Sequence, residues 1–140
     1  MDTINFDSGL KSFALDNEGK RTITFNPSDF AIITRFNESK DSLEQLTKSL
    51  ESRDKLNESE AADVLKSCDN SMRKIIDYVL NAPVCDTAFG GTNCCSYAGG
   101  QIVAINFLDA VLKVVKDCIT EQAAKTAKNV QKYTSQMAVL

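Results

Sequence analysis

The hydrophobic positions of this chain change period once. Near the start they alternate: Ile23 and Phe25 share one side and Thr22 and Thr24 the other, the two-residue period of a strand. Leu10 to Leu15 and Arg21 to Phe25 flank Asp16-Asn17-Glu18-Gly19-Lys20, a polar loop of hairpin length in which Gly19 can take a positive φ. This predicts a half-buried β-hairpin over residues 10–25 that needs a helix to cover its apolar side.

From Ser28 to Ala82 there is neither glycine nor proline, and the period becomes helical. Asn26 reads as a helix cap, Pro27 suits the first helical position, and Asp29 sits where the helix dipole favours negative charge. Phe30, Ile33, Phe36, Leu43, Leu46 and Leu50 form the first apolar stripe. It fails across Glu51 to Glu60, and Asn57 followed by Glu60 imitates a capping box, so residues 27–82 are predicted to form a helical pair broken near Leu56 and Asn57. Ala61, Val64, Leu65, Cys68, Met72, Ile75, Ile76 and Val79 give the second helix its core face.

Pro83 to Gly100, PVCDTAFGGTNCCSYAGG, carries four of the six glycines and one of the two prolines. It reads as a shaped connection over residues 83–100, its glycines serving turns and close packing, with Phe89 and Tyr97 as anchors. A last helix is predicted over residues 101–137, with Leu108, Leu112, Val115, Ile119, Ala123, Ala127, Val130, Thr134 and Met137 at spacings of three and four. Its stripe thins to Ala and Thr after Gln122. The first half is therefore expected in the core, and the second half is expected to project and meet a partner through Ala123, Ala127, Val130, Thr134 and Met137. The predicted fold class is mainly α with a small N-terminal β-hairpin (α+β), built from three long helices in a single domain over residues 1–140. Ile23, Phe25, Phe30, Phe36, Ile75, Val79, Phe107, Leu108 and Leu112 are expected in one core.

Charge and candidate chemistry narrow the function. A formal net charge of −3, from 16 basic and 19 acidic residues, gives no excess to neutralise a phosphate backbone, so nucleic acid is not expected as partner. The apolar run Ile102 to Val115 is short and interrupted by Asn106, Asp109 and Lys113, and the N-terminus does not read as a signal; the expectation is a cytoplasmic protein with no membrane partner. Five cysteines, two of them adjacent at Cys94 and Cys95, do not resemble a secreted disulfide framework. Cys85, Cys94 and Cys95 raise a zinc question, but no paired CxxC and no histidine accompany them, and no metal is expected. Nor does any thiol have the usual base for nucleophilic catalysis. The glycines match neither GxxxxGK[ST] nor GxGxxG, so no nucleotide or other cofactor is expected. An enzyme is the least favoured class.

At Phe25-Asn26-Pro27-Ser28-Asp29, followed by Phe36, and at Phe89-Gly90-Gly91 leading into Asn106-Phe107-Leu108-Asp109-Ala110, the chain resembles small proteins of phages and prophages of Gram-positive bacteria. Those proteins look like the tail assembly chaperones of long-tailed phages, with a short hairpin, an NP.D lead into a helix, long helices, and an FG.G loop before an FLDA helix. The resemblance covers about Leu10 to Val115. It implies a non-enzymatic role in virion morphogenesis within the bacterial host cell: keeping the tape-measure protein soluble and recruiting tail-tube subunits, with no catalytic residues to transfer. A structural virion component, such as a tail or head–tail connector protein, and a small regulatory protein that binds a host factor are the competing expectations. Assembly as a homo-oligomer stays open.

Overall fold

A computed structural model describes residues 1–137; positions 138–140, the end of the domain expected over 1–140, lie outside the described residues. Strands β1 (Lys11–Ala14) and β2 (Thr22–Phe25) are followed by the long helices α1 (Phe30–Glu51) and α2 (Glu58–Leu80). A short helix α3 (Cys85–Phe89), a second small hairpin of β3 (Tyr97–Ala98) and β4 (Gln101–Ile102), and the long helix α4 (Val103–Met137) complete the order. The fold is mainly α with a small N-terminal hairpin, as the periodicities predict.

β1 and β2 are antiparallel with Phe13 opposite Ile23 and Ser12 opposite Thr24. The pleat sends Ile23 and Phe25 into the core, with the Phe13 and Phe25 rings 5.2 Å apart, while the Ser12 and Thr24 hydroxyls share a 2.7 Å hydrogen bond outside. In the loop, the Asp16 carboxylate accepts from the Lys20 and Arg21 amides, fixing the register.

The start of α1 differs from the expectation in detail. Asp29, not Asn26, is the cap: its carboxylate accepts from Ala31 N–H, and the helix begins at Phe30. Asn26 and Pro27 instead shape the turn before it. Asn26 Oδ1 accepts from Ser28 N–H, and its amide donates to the Ser8 carbonyl. The expected stripe is also out of phase at this end. Ile32 is fully buried, whereas Phe30 is 72% exposed and Ile33 54% exposed, so Phe30 leaves the expected core. The geometry explains this: Phe36, Leu43, Leu46 and Leu50 continue the face of Ile32, and Phe30, two residues from Ile32, stands about 160° around the helix from it.

α1 and α2 are joined by a 3₁₀ turn at Arg53–Lys55, and Asn57 caps α2 by accepting from Glu60 N–H, at the predicted break. Arg35 ties the two helices together at the far end, bonded to Asp29 at 3.0 Å and donating to the Val79 carbonyl at 3.0 Å. The core joins Ile23 and Phe25 of the hairpin, Ile32 and Leu50 of α1, Met72, Ile76 and Val79 of α2, and Leu108, Val111 and Val115 of α4. Phe36, Ile75, Phe107 and Leu112 pack at its margin, half-buried, with Phe107 edge-on to Phe89 at 5.4 Å.

The connection over residues 83–100 is more ordered than a loop, containing α3 and β3, which pairs with β4 just beyond it. Gly99 and Gly100 both have positive φ, +62° and +78°, as a two-residue hairpin turn demands. Close packing, the other role expected of the glycines here, is absent, because a Cβ at Gly90, Gly91, Gly99 or Gly100 would meet nothing within 4 Å. The last helix begins at Val103, two residues later than expected, because Gln101 and Ile102 are spent in β4.

Truncating Ile76, which has no exposed surface, to alanine is expected to cost about 2–5 kcal/mol, whereas Phe30→Ala should stay within about 0.5 kcal/mol of wild type. Urea denaturation of both variants checks the phase of the α1 stripe. Equal losses would place Phe30 in the core after all.

Candidate interaction surface

Leu65, Asp69, Arg73 and Asp77 follow one another at four-residue spacing along α2, and they hold the 83–100 connection, Leu65 through its carbonyl and the other three through their side chains. Arg73 is its centre. Its Nη2 donates to the Gly90 and Thr92 carbonyls at 2.9 and 2.8 Å, Nη1 reaches Asp86 at 3.2 Å, and Nε meets Asp69 at 3.0 Å. The guanidinium also lies 5.7 Å from the centre of the Phe89 ring. Asp69 Oδ1 in turn accepts from Cys94 N–H at 2.8 Å. Asp77 accepts from the Val84 and Cys85 amides, satisfying the start of α3, and the Asn93 amide donates to the Leu65 carbonyl.

The anchored connection then sets α4. The Cys94 carbonyl accepts from Ala104 N–H and the Ser96 carbonyl from Val103 N–H, both at 2.8 Å, so two of the helix's otherwise orphaned first donors are satisfied by the connection. Asn106 donates back to the Ala98 carbonyl, and Gln101 donates to Asn106 and Asp109. Of the two expected anchors, Phe89 is buried. Tyr97 is largely exposed, yet its hydroxyl accepts from Arg53 at 3.1 Å.

Electrostatics agree with a structural role. Burial alone would raise the Asp69 carboxyl, but the Cys94 amide and the Arg73 guanidinium outweigh it and hold the group below its usual value. Burial and the neighbouring Asp77 push the Cys85 thiol up, so it stays protonated and unreactive. Cys94 is raised by its hydrogen bond to Cys95, and Cys95 is lowered by the same bond. All five cysteines are free; Cys68, Cys85, Cys94 and Cys95 are buried and Cys118 is partly exposed. Among the described residues, no group of three or more Cys, Asp or Glu side chains is arranged to hold a metal ion, and no helix is long and apolar enough to cross a membrane.

The residues predicted to meet a partner lie together at the far end of α4. Every residue from Thr120 to Met137 is exposed, including Ala123, Ala127, Val130, Thr134 and Met137. At about 100° per residue these five fall on one side of the helix, while Glu121, Lys125, Lys128 and Lys132 fall within an arc of about 60° on the opposite side. The stripe continues onto the body. Ser28, Phe30, Ile119, Gln122, Ala123 and Ala127 line one open cleft, so the exposed ring of Phe30 borders the base of the stripe.

Phe30 is the exposed residue that the sequence pattern placed in the core; its distance of six residues from Phe36, rather than three, four or seven, is the signal that separates it from the core face. The anchoring role of Asp69, Arg73 and Asp77 was also missed. Acid, base and acid at four-residue steps beside a glycine-rich segment are visible in the sequence, but nothing local says that they turn toward it. Searches with this chain against protein-family models, curated proteins and solved structures found no match.

Arg73→Ala is expected to lower stability by about 2–4 kcal/mol, because it leaves two backbone carbonyls and Asp69 without their charged donor, and Arg73→Lys should recover only part of this, lacking the planar fork. Denaturant melts of the two variants test this; a lysine variant equal to wild type would reduce Arg73 to a simple charge. The lowered carboxyl of Asp69 gives a pH signature. Its stabilisation is present above the unfolded carboxylate value near about 4 and is lost as pH falls through the lower folded value. Asp69→Asn should therefore flatten the fall in stability below about pH 4 relative to wild type, measured as melting temperature against pH. Under native conditions, alkylation should modify Cys118 well ahead of the four buried thiols, and all five should react after unfolding, which mass spectrometry can count.

Proposed function

We propose that this chain is a non-catalytic assembly factor of the tail-assembly-chaperone kind, acting in the cytoplasm of a phage-infected or lysogenic bacterium. Its contact face is the stripe of Ala123, Ala127, Val130, Thr134 and Met137, and its partner is the helical tape-measure protein or the tail-tube subunits that assemble around it. The observation that carries the reading is the exposed second half of α4, helical to Met137 and with its apolar side cleanly parted from its charges. A helix so exposed contributes little to the core, and its pattern suits contact with another helix. The resemblance at Phe25 to Asp29 and Phe89 to Ala110 supplies the identity of the partner.

The strength of the contact fits a chaperone. A stripe of Ala, Thr, one Val and one Met offers less apolar area than an obligate interface uses, and so favours reversible engagement. A chaperone must release its client when the tube polymerises. The buried, bonded side chains of the body, by contrast, act in holding the connection and the base of α4.

The reading is tested by co-expressing the chain with the tape-measure protein of the same genome. The full chain is expected to raise the soluble fraction of the tape-measure protein, and both Val130→Asp and removal of residues 120–140 are expected to abolish the gain while the body stays folded. Mass spectrometry of purified particles should find the chain absent. Stoichiometric retention in mature virions would favour a structural component instead, and an unchanged soluble fraction would remove support for the chaperone.

A further inference from the structure

The outer half of α4 carries a second pattern, finer than its amphipathicity. Ile119, Ala123, Thr126, Val130, Tyr133 and Met137 alternate steps of four and three, the seam of a coiled coil. The positions flanking that seam, where a coiled coil usually sets its charge pairs, are Thr120, Gln122, Ala127, Asn129, Thr134 and Gln136, none of them charged. Glu121, Lys125, Lys128 and Lys132 all stand on the outer side. Pairing with an identical helix therefore brings no like charges together, although the tail carries three lysines against one acid.

Side-chain size is graded along the same seam. Beyond Ile119, which packs against the body, the seam carries the small Ala123 and Thr126 and then, toward the tip, Val130, Tyr133 and Met137, while Phe30 stands exposed beside the base. Two copies side by side in parallel would stack small on small and Tyr133 on Tyr133. Head to tail, Tyr133 comes level with Ala123 of a second copy and Val130 with Thr126, a larger residue against a smaller one in each layer, while Met137 comes level with Ile119. Large-against-small layers fill space without strain. This register also brings the Met137 thioether toward the exposed Phe30 ring of the other copy, a favourable sulfur–aromatic contact.

We propose that the free protein is a homodimer in which the outer halves of two α4 helices pair antiparallel about a two-fold axis near residue 128, each tip seated against the other's Phe30. The inference rests on reading this stripe as a contact face, but not on which client it takes. It adds a regulatory consequence: the client and the second copy compete for one surface, so the stripe is covered until a client displaces the partner.

The full chain alone decides the matter. Sedimentation equilibrium at micromolar concentrations is expected to give twice the 15.3 kDa chain mass, and Val130→Asp is expected to give a single chain with an unchanged circular dichroism spectrum. In a Cys118→Ser background, a short bis-maleimide should cross-link a mixture of Ala123→Cys and Tyr133→Cys proteins several-fold more than Ala123→Cys protein alone. A single-chain mass for the wild type at every concentration overturns the dimer, and so does a Val130→Asp protein that remains dimeric. Equal cross-linking of Ala123→Cys with itself overturns the antiparallel register. A monomer that nonetheless keeps the tape-measure protein soluble would sink self-pairing and leave the chaperone reading intact.

Discussion

The contact between Arg73 and Asp69 is the constraint on which the rest of the structure depends. The residues from Pro83 to Gly100 include few large apolar side chains, so their backbone polar groups need partners from outside the segment. α2 provides them from one row: Leu65 through its carbonyl, Asp69, Arg73 and Asp77 through their side chains. Arg73 suits the central place because a planar fork can reach two carbonyls and a carboxylate at once. Asp69 serves both ends of the arrangement. It holds the guanidinium in position and accepts the Cys94 amide, and the carbonyl of that same Cys94 receives the first turn of α4.

From this clamp follows the position of the exposed stripe on α4. α4 is 35 residues long, about 52 Å as a straight helix, and its core contacts end at Ile119. Whatever holds its first turn also aims its tip. The outer half must then stay helical without core contacts, and its composition explains how it does. Ala123, Ala124 and Ala127 have the highest helix propensity, and Glu121 pairs with Lys125 one turn on at 3.0 Å. The cost of leaving Val130, Tyr133 and Met137 in water is kept small by having so few of them.

Legibility in the sequence divided along physical lines. Patterns with a local cause were readable: the hairpin from two-residue alternation and the Asp16 to Lys20 loop, the helix break from Asn57 and Glu60, and the exposure of the outer α4 stripe from its loss of large apolar residues. The failures arose where tertiary contacts overrode local rules. Asn26-Pro27 looks like a helix start, but Asn26 is drawn into a turn that also bonds Ser8, and the cap passes to Asp29. Phe30 reads as core by its three-residue steps to Ile33 and Phe36, and the phase of Ile32, Phe36, Leu43, Leu46 and Leu50 turns it outward. The clamp was illegible because its partners are backbone carbonyls and amides, which every residue has.

Phe30 shows how such a failure becomes informative. A chain that places a large aromatic ring in water at the first position of a helix, while burying Ile32 two residues later, bears a cost that its own fold does not recover. The ring borders the point where α4 leaves the body, against Ala123 and Ala127, and small side chains there keep the cleft open. Larger residues at those two positions would fill the cleft from within. Small residues at the base and larger ones at the tip instead leave a socket on the body and a knob at the end of the same helix. The two lie too far apart along a rigid helix to meet within one chain, so both reach their full burial only in association.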